Sequence, residues 1–417
     1  MDVTAVDELI ARRDRAFGAG AQLFYETPLH LVRGEGVWVF DAEGRRYMDM
    51  YNNVPCVGHA RAEVAQAIGR AQATLNTHNR YLHEGAIALA ERLVGLHHGP
   101  KIESVVFTCS GTEAIEVALR MARFATGRRG IVATDATYHG NSELVGGLTR
   151  TEHPANPQLA TFPFPQTYRE PTDAAAYLAA LEGAIAALEG GLAALILCPI
   201  LANEGLPDVP AGFMAAAAER VRAAGGLIIA DEVQAGYGRT GRWWGYELAG
   251  LTPDIVVTGK PMGAGVPLAA AAASRPLVEG FRAATRYFNT FASSPLQAAA
   301  GMAVLDVIEA EDLVGNAGRV GAALKAGLKA RAGQADFIGD VRGSGLFIGI
   351  EMVADKADKA ADRARAVTVV NALKDKGFLT SNAGAAGNVV KIRPPLVFSD
   401  ANAAEFLAAW DEVIGAF

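Results

Sequence analysis

The sequence predicts an α/β fold, a large domain on a mostly parallel sheet joined to a smaller α+β domain. Three observations carry this. From about residue 101, short apolar runs alternate with helical stretches of 10–20 residues, the pattern of a parallel sheet wrapped by helices. The runs end in Gly-, Pro- and hydroxyl-rich turns. After Pro295 the pattern changes to two long helices, a strand-turn-strand unit and further mixed elements. We divide the chain into an N-terminal segment, 1–57, packed with the small domain, a large domain, 58–297, and a C-terminal domain, 298–417.

In chain order, residues 1–30 form an entry helix and an irregular segment. Residues 31–40 and Arg46 to Met50 flank the turn Asp41-Ala42-Glu43-Gly44, a hairpin with a glycine turn. The loop Tyr51 to His59 crowds polar and aromatic groups and suits either a pocket wall or plain structure. Helical periodicity covers about Glu63 to Leu75 and Gly85 to Leu96. Strands are expected at Ser104–Thr108, Gly130–Thr134, Ala194–Cys198, Leu227–Ala230, Asp254–Val257 and Leu268–Ala273. Beyond them come helices at Leu296–Glu309 and Asn316–Arg331, then strand, turn and strand over 337–352. A helix at about Lys359–Lys376, a strand at Val389–Ile392 and a last helix at Asp400–Ile414 complete the chain.

The 417 residues are 51% hydrophobic and 20% charged, with a net charge of −7, a composition that folds around a large core. No basic block points to nucleic acid. Cys56, Cys109 and Cys198 are too few and too irregularly spaced for a disulfide framework or a zinc site, so no metal is expected. No apolar run approaches the roughly 18 residues of a membrane span, and the N-terminus lacks a secretory pattern. A cytoplasmic location is the expectation.

The chemistry concentrates between Ile228 and Gly265. One strand ends in a carboxylate, Asp231, and the next delivers Lys260 among Gly259, Pro261, Gly263 and Gly265. A lysine held in a Gly/Pro turn past an apolar strand suits an amine that forms an imine with a carbonyl cofactor, and a nearby acid suits a pyridinium partner. Singly, such an Asp is an ordinary turn former and such a Lys a surface charge. Together, in DEVQAGYGRTG and TGKPMGAGVPLA, they resemble the signature of the class III, or omega, aminotransferases, fold-type-I enzymes that use pyridoxal 5′-phosphate. The resemblance runs from about residue 30 to 415, and it implies that the sheet is of seven-stranded type.

It implies a Schiff base on Lys260 and a pairing of Asp231 with the pyridine nitrogen. It also implies Val233 against the ring and Gln234 near its hydroxyl. The turn Ser110-Gly111-Thr112 opens a helix, which makes it either a plain N-cap or an anion site; the resemblance makes it the phosphate cup. Tyr138 would stack on the ring opposite Val233, with His139 below. Thr290, otherwise an ordinary turn residue, would reach the cofactor phosphate of the other subunit of a homodimer.

The substrate region departs from the family pattern. A glutamate used by many members falls on Asn203, beside Glu204, and an arginine position is held by Lys391. Asn203, Lys391, Arg393 and Tyr51 are the candidate substrate residues. Arg393, two residues beyond Lys391, could bind a carboxylate or close a structural ion pair. The expected activity is transfer of an amino group from a small amine or amino acid to a 2-oxo acid such as pyruvate or glyoxylate. The alternative is a lyase on the same scaffold that eliminates ammonia with phosphate or another β-group.

Overall fold

The computed structural model describes residues 5–149, 156–169 and 173–417. Its central sheet has seven strands. In spatial order they are Ser104–Thr108, Ala269–Ala273, Ile255–Thr258, Leu227–Asp231, Leu192–Leu197, Gly130–Thr134 and Leu159–Phe162. Ala269–Ala273 is antiparallel to both neighbours and every other adjacent pair is parallel. Continuous apolar runs form these strands because helices cover both faces of the sheet. Leu192–Leu197 and Ile255–Thr258 are buried at every position.

The parallel strands deliver their C-terminal ends to one edge of the sheet, where ligands of open α/β sheets bind. Asp231 closes one strand, Lys260 follows the next, and Ser110, Tyr138 and Asn203 follow three others. The helix Gly111–Thr126 starts at this edge and buries Ala114, Ile115, Ala118 and Met121 against the sheet. The alanine strand Ala269–Ala273 leaves room for that helix to lie close.

Two smaller sheets complete the chain. Leu31–Glu35, Trp38–Asp41 and Arg46–Asp49 form a meander, and Phe378–Leu379 joins it parallel to Arg46–Asp49. Ile338–Ser344, Phe347–Met352, Val389–Ile392 and Ser381–Ala383 form an antiparallel sheet. Three expectations need correction. Residues 31–40 are not one strand: Gly36, at φ +56°, turns the chain so that Glu35 pairs with Trp38. Leu159–Phe162 is an additional edge strand. The helix expected from Lys359 starts at Arg363, where Asp362 caps it by accepting from the Arg365 amide. Pairing of Val353 with Ala361 holds the preceding residues in a turn. Residues 1–4 of the entry helix lie outside the described residues.

Candidate functional site

At the centre of the strand-end edge sits Asp231. Its Oδ2 lies 2.6 Å from Nδ1 of buried His139, and its Oδ1 accepts from the Val233 amide at 3.0 Å. Nε2 of His139 is 2.7 Å from the Thr137 hydroxyl. The acid is therefore fixed from two directions, and His139 orients it. Asp231 sits opposite Val257 in the parallel register, three residues before Lys260.

Lys260 is exposed. The protein around it nevertheless removes enough water to lower its amine pKa, an effect that the Asp231 carboxylate partly offsets and the charge of Arg393 reinforces. A lysine so placed is a better base near neutrality than one in water.

The glycines beside it mark close approach. A Cβ on Gly111 would stand 3.2 Å from Cγ2 of Val233, and one on Gly140 only 2.5 Å from the Thr112 hydroxyl. Ser110 caps the helix, its hydroxyl accepting from the Glu113 amide at 3.2 Å. Helix geometry leaves the Gly111 and Thr112 amides without intrahelical partners, a ready pair of donors for an anion. The Thr112 hydroxyl accepts from the Asn141 amide at 3.3 Å. Tyr138 is exposed beside this turn, its hydroxyl donating to Asn141 at 2.9 Å.

Lys391 and Arg393 are both buried, and both flank one ring. Nζ of Lys391 is 5.6 Å, and Cζ of Arg393 5.5 Å, from the centroid of Phe347. Arg393 Nε donates to the Tyr51 carbonyl at 3.0 Å, its Nη1 donates to Gln234 Oε1, and its guanidinium lies 5.0 Å from the Tyr51 ring. Among the described residues, no carboxylate pairs with either cation. Burial, with Arg393 adding to it, pushes the Lys391 amine down to about 7. Asn203 is bonded to the Tyr138 carbonyl and to Gln234.

Thr290 is not among the partners of the Asp231 network given above. It is exposed in a groove of about 610 Å³ with Cys109, Pro267, Phe291 and Leu296. Its turn is tied to the start of the Gly111–Thr126 helix, because Asn289 donates to Glu113 and accepts from the Phe291 and Ala292 amides.

Several contributors were not foreseen. Asn53 donates to the Val233 and Gln234 carbonyls and accepts from Arg239 at 3.1 Å, which pins the strand-end turn from the N-terminal loop. Glu204 is buried and receives the Thr134 hydroxyl and the Asn203 amide, and burial raises its pKa. Glu232 is fully buried and accepts the Gly245 and Tyr246 amides, both at 2.8 Å. These are long-range partnerships with no local sequence pattern. Among the described residues, no group of three or more His, Cys, Asp or Glu could hold a metal ion, and no helix is long and apolar enough to cross a membrane.

Comparison with known proteins places this geometry. The model of the family described as aminotransferase class-III matches residues 21–414. An alanine–glyoxylate aminotransferase 2-like protein of Drosophila melanogaster is 37% identical over 98% of this chain and 87% of its own length. An ethanolamine-phosphate phospho-lyase homolog of Caenorhabditis elegans is 30% identical over 99% and 94%. Among solved structures, a phospholyase from Arthrobacter in complex with phosphoethanolamine has a TM-score of 0.95 at 38% identity, covering 98% of this chain and all of its own. A Bacillus anthracis aminotransferase has a TM-score of 0.90 at 29% identity, covering all of both chains.

Proposed function

We propose that this chain, which belongs to the class III aminotransferase family, moves the amino group of a small amine or amino acid to a 2-oxo acid such as pyruvate or glyoxylate. The family depends on pyridoxal 5′-phosphate, and the residues here fit that group. Close packing of Gly111 on Val233 and of Gly140 on Thr112 brings the helix start and its free amides against the strand-end turn. Beside it, a lysine and a histidine-bound carboxylate stand at the ends of adjacent parallel strands. That last pairing carries the reading.

Gly111 and Thr112 would hold the phosphate, Val233 and Tyr138 the ring faces, and Asp231 the ring nitrogen. When bound, the cofactor supplies an aldehyde for the amine and a ring that takes up an electron pair. Asp231 keeps a proton at the ring nitrogen, and His139 holds the carboxylate in line. Lys260 removes the α-carbon proton of the donor and, in the reverse sense, returns a proton to the α-carbon of the oxo acid. A homodimer, with Thr290 serving the partner's phosphate site, is part of the same reading.

One observation favours a second reading. Lys391 and Arg393 flank one ring with no carboxylate between them, which suits a substrate bearing a dianion. The phospholyase likeness points the same way. On an amino-alcohol phosphate, Lys260 would remove the proton, the C–O bond would break, and the phosphate would leave onto the two cations. Hydrolysis of the remaining C–N bond then releases ammonia and a carbonyl product.

One experiment separates the two. The holoenzyme is given alanine or phosphoethanolamine, each with and without glyoxylate. Transamination requires the acceptor beyond one turnover. Elimination continues without it and releases phosphate and ammonia in equal amounts. Turnover of no donor under either condition would overturn both.

A further inference from the structure

The substrate-side cation Arg393 is held only by neutral oxygens, and the way it is held has a fixed direction. The Tyr138 carbonyl can only accept a hydrogen bond, so the Asn203 group 3.1 Å from it is the amide NH2. The Asn203 oxygen then faces Gln234, whose Nε2 donates to it at 3.1 Å. The Gln234 oxygen is thereby turned outward, and the Arg393 guanidinium, which can only donate, binds it. Each amide could be flipped alone, but the two ends of the row permit one arrangement.

We infer that Asn203 is the positioning residue that sets this row and thereby makes the site selective for amines bearing an anionic group. It aims Gln234 at Arg393 without lending a negative charge. The guanidinium is oriented by Tyr51 and Gln234, and its charge remains uncompensated beside Lys391. A cation so placed is costly to bury until an anion meets it, so the discrimination falls between substrates with and without that anion. The inference rests on the reading of these residues as the substrate site.

The row also runs from the backbone of Tyr138 to Arg393. The side proposed for the cofactor and the side proposed for the anion thus share one support. Asn203 itself spends both ends of its amide on protein and has no need to touch substrate.

The test uses holoenzyme and the variants Asn203→Asp and Asn203→Ala. The aspartate variant would set an acceptor against the Tyr138 carbonyl and place a negative charge next to the row; the alanine variant would free Gln234 to turn. Inorganic phosphate affinity is measured by calorimetry on the loaded enzyme, and KM and kcat are compared for phosphoethanolamine and for a neutral-tailed amine. Loss of an oriented bond to a charged group predicts about tenfold weaker phosphate binding, more for the aspartate variant than for the alanine one. The KM for the anionic amine rises by a similar factor, while its kcat and the cofactor absorbance change little. Equal losses for both amines, or phosphate binding as in wild type, would remove Asn203 from this role and leave the cation pair standing. If wild-type holoenzyme binds no phosphate and shows no preference for the anionic amine, the anion-site reading itself falls, and this inference with it.

Discussion

At the scale of single residues, the chemistry divides between groups fixed by local words and groups fixed by distant partners. Lys260 and Asp231 were legible because each sits where an apolar strand meets a Gly- or Asx-type turn. Thr137, Asn53 and Glu204 were not, because each acts through a contact made only in the fold. Replacing Lys260 by alanine removes the proposed proton carrier, so turnover should fall by at least about 100-fold while the chain still folds and retains cofactor noncovalently. Reduction with borohydride followed by peptide mass analysis checks it, since label should attach at Lys260 in wild type alone. Lys391 gives a prediction in pH. Burial, with the Arg393 charge adding to it, brings its pKa down to about 7, so it is charged below that pH and neutral above. Affinity for an anionic amine should therefore weaken as pH rises through about 7. In Lys391→Arg, whose side chain stays charged, that step should disappear from the KM profile.

At the scale of elements, what is decided is how close two pieces of backbone come. The start of the Gly111–Thr126 helix approaches Val233 so nearly that a methyl group on Gly111 would meet it at 3.2 Å. Gly111→Ala should push the helix start outward at a cost of about 1–3 kcal/mol. The measurable result is faster loss of cofactor absorbance on dialysis, with the far-ultraviolet spectrum unchanged. Glu232 shows the same principle in a buried acid. Two backbone donors favour its ionised form, but burial wins and raises its pKa from 4.5 to about 8. A raised acid contributes stability that is full below about pH 4.5 and lost as pH climbs through about 8. Glu232→Gln should remove that slope from a series of thermal unfolding curves, while costing about 1–3 kcal/mol because an NH2 group now faces an amide donor. Continuous apolar strands and the cap at Ser110 were legible in the sequence; the cap at Asp362 was not. The edge strand Leu159–Phe162 was not, since it pairs on one side only and is buried fully at one position of four. Its short, half-exposed run lacks the apolar signal of an interior strand.

At the scale of the molecule, apolar surface remains that a single chain does not cover. Leu82 is 96% exposed and Phe291 73%, with Tyr81 and Ile87 also open. They lie on the segments that rim two grooves, one of about 850 Å³ along Arg80 to Val94 and the other beside Thr290. Exposed apolar side chains gathered along grooves are what a protein–protein interface uses. A second copy of the chain is the occupant the family resemblance implies, and Thr290 lines one of these grooves. The chain should therefore sediment as a dimer at micromolar concentration. On the proposed homodimer, charging the face, as in Leu82→Asp combined with Phe291→Asp, should shift it toward monomer and lower cofactor retention together with activity, because the Thr290 proposed to serve the site would leave with the other subunit. Thr290→Ala should weaken cofactor retention with the dimer intact. Sedimentation velocity on the same samples used for absorbance separates the two effects. A wild-type chain that sediments as a monomer yet holds cofactor fully would show that each subunit completes its own phosphate site.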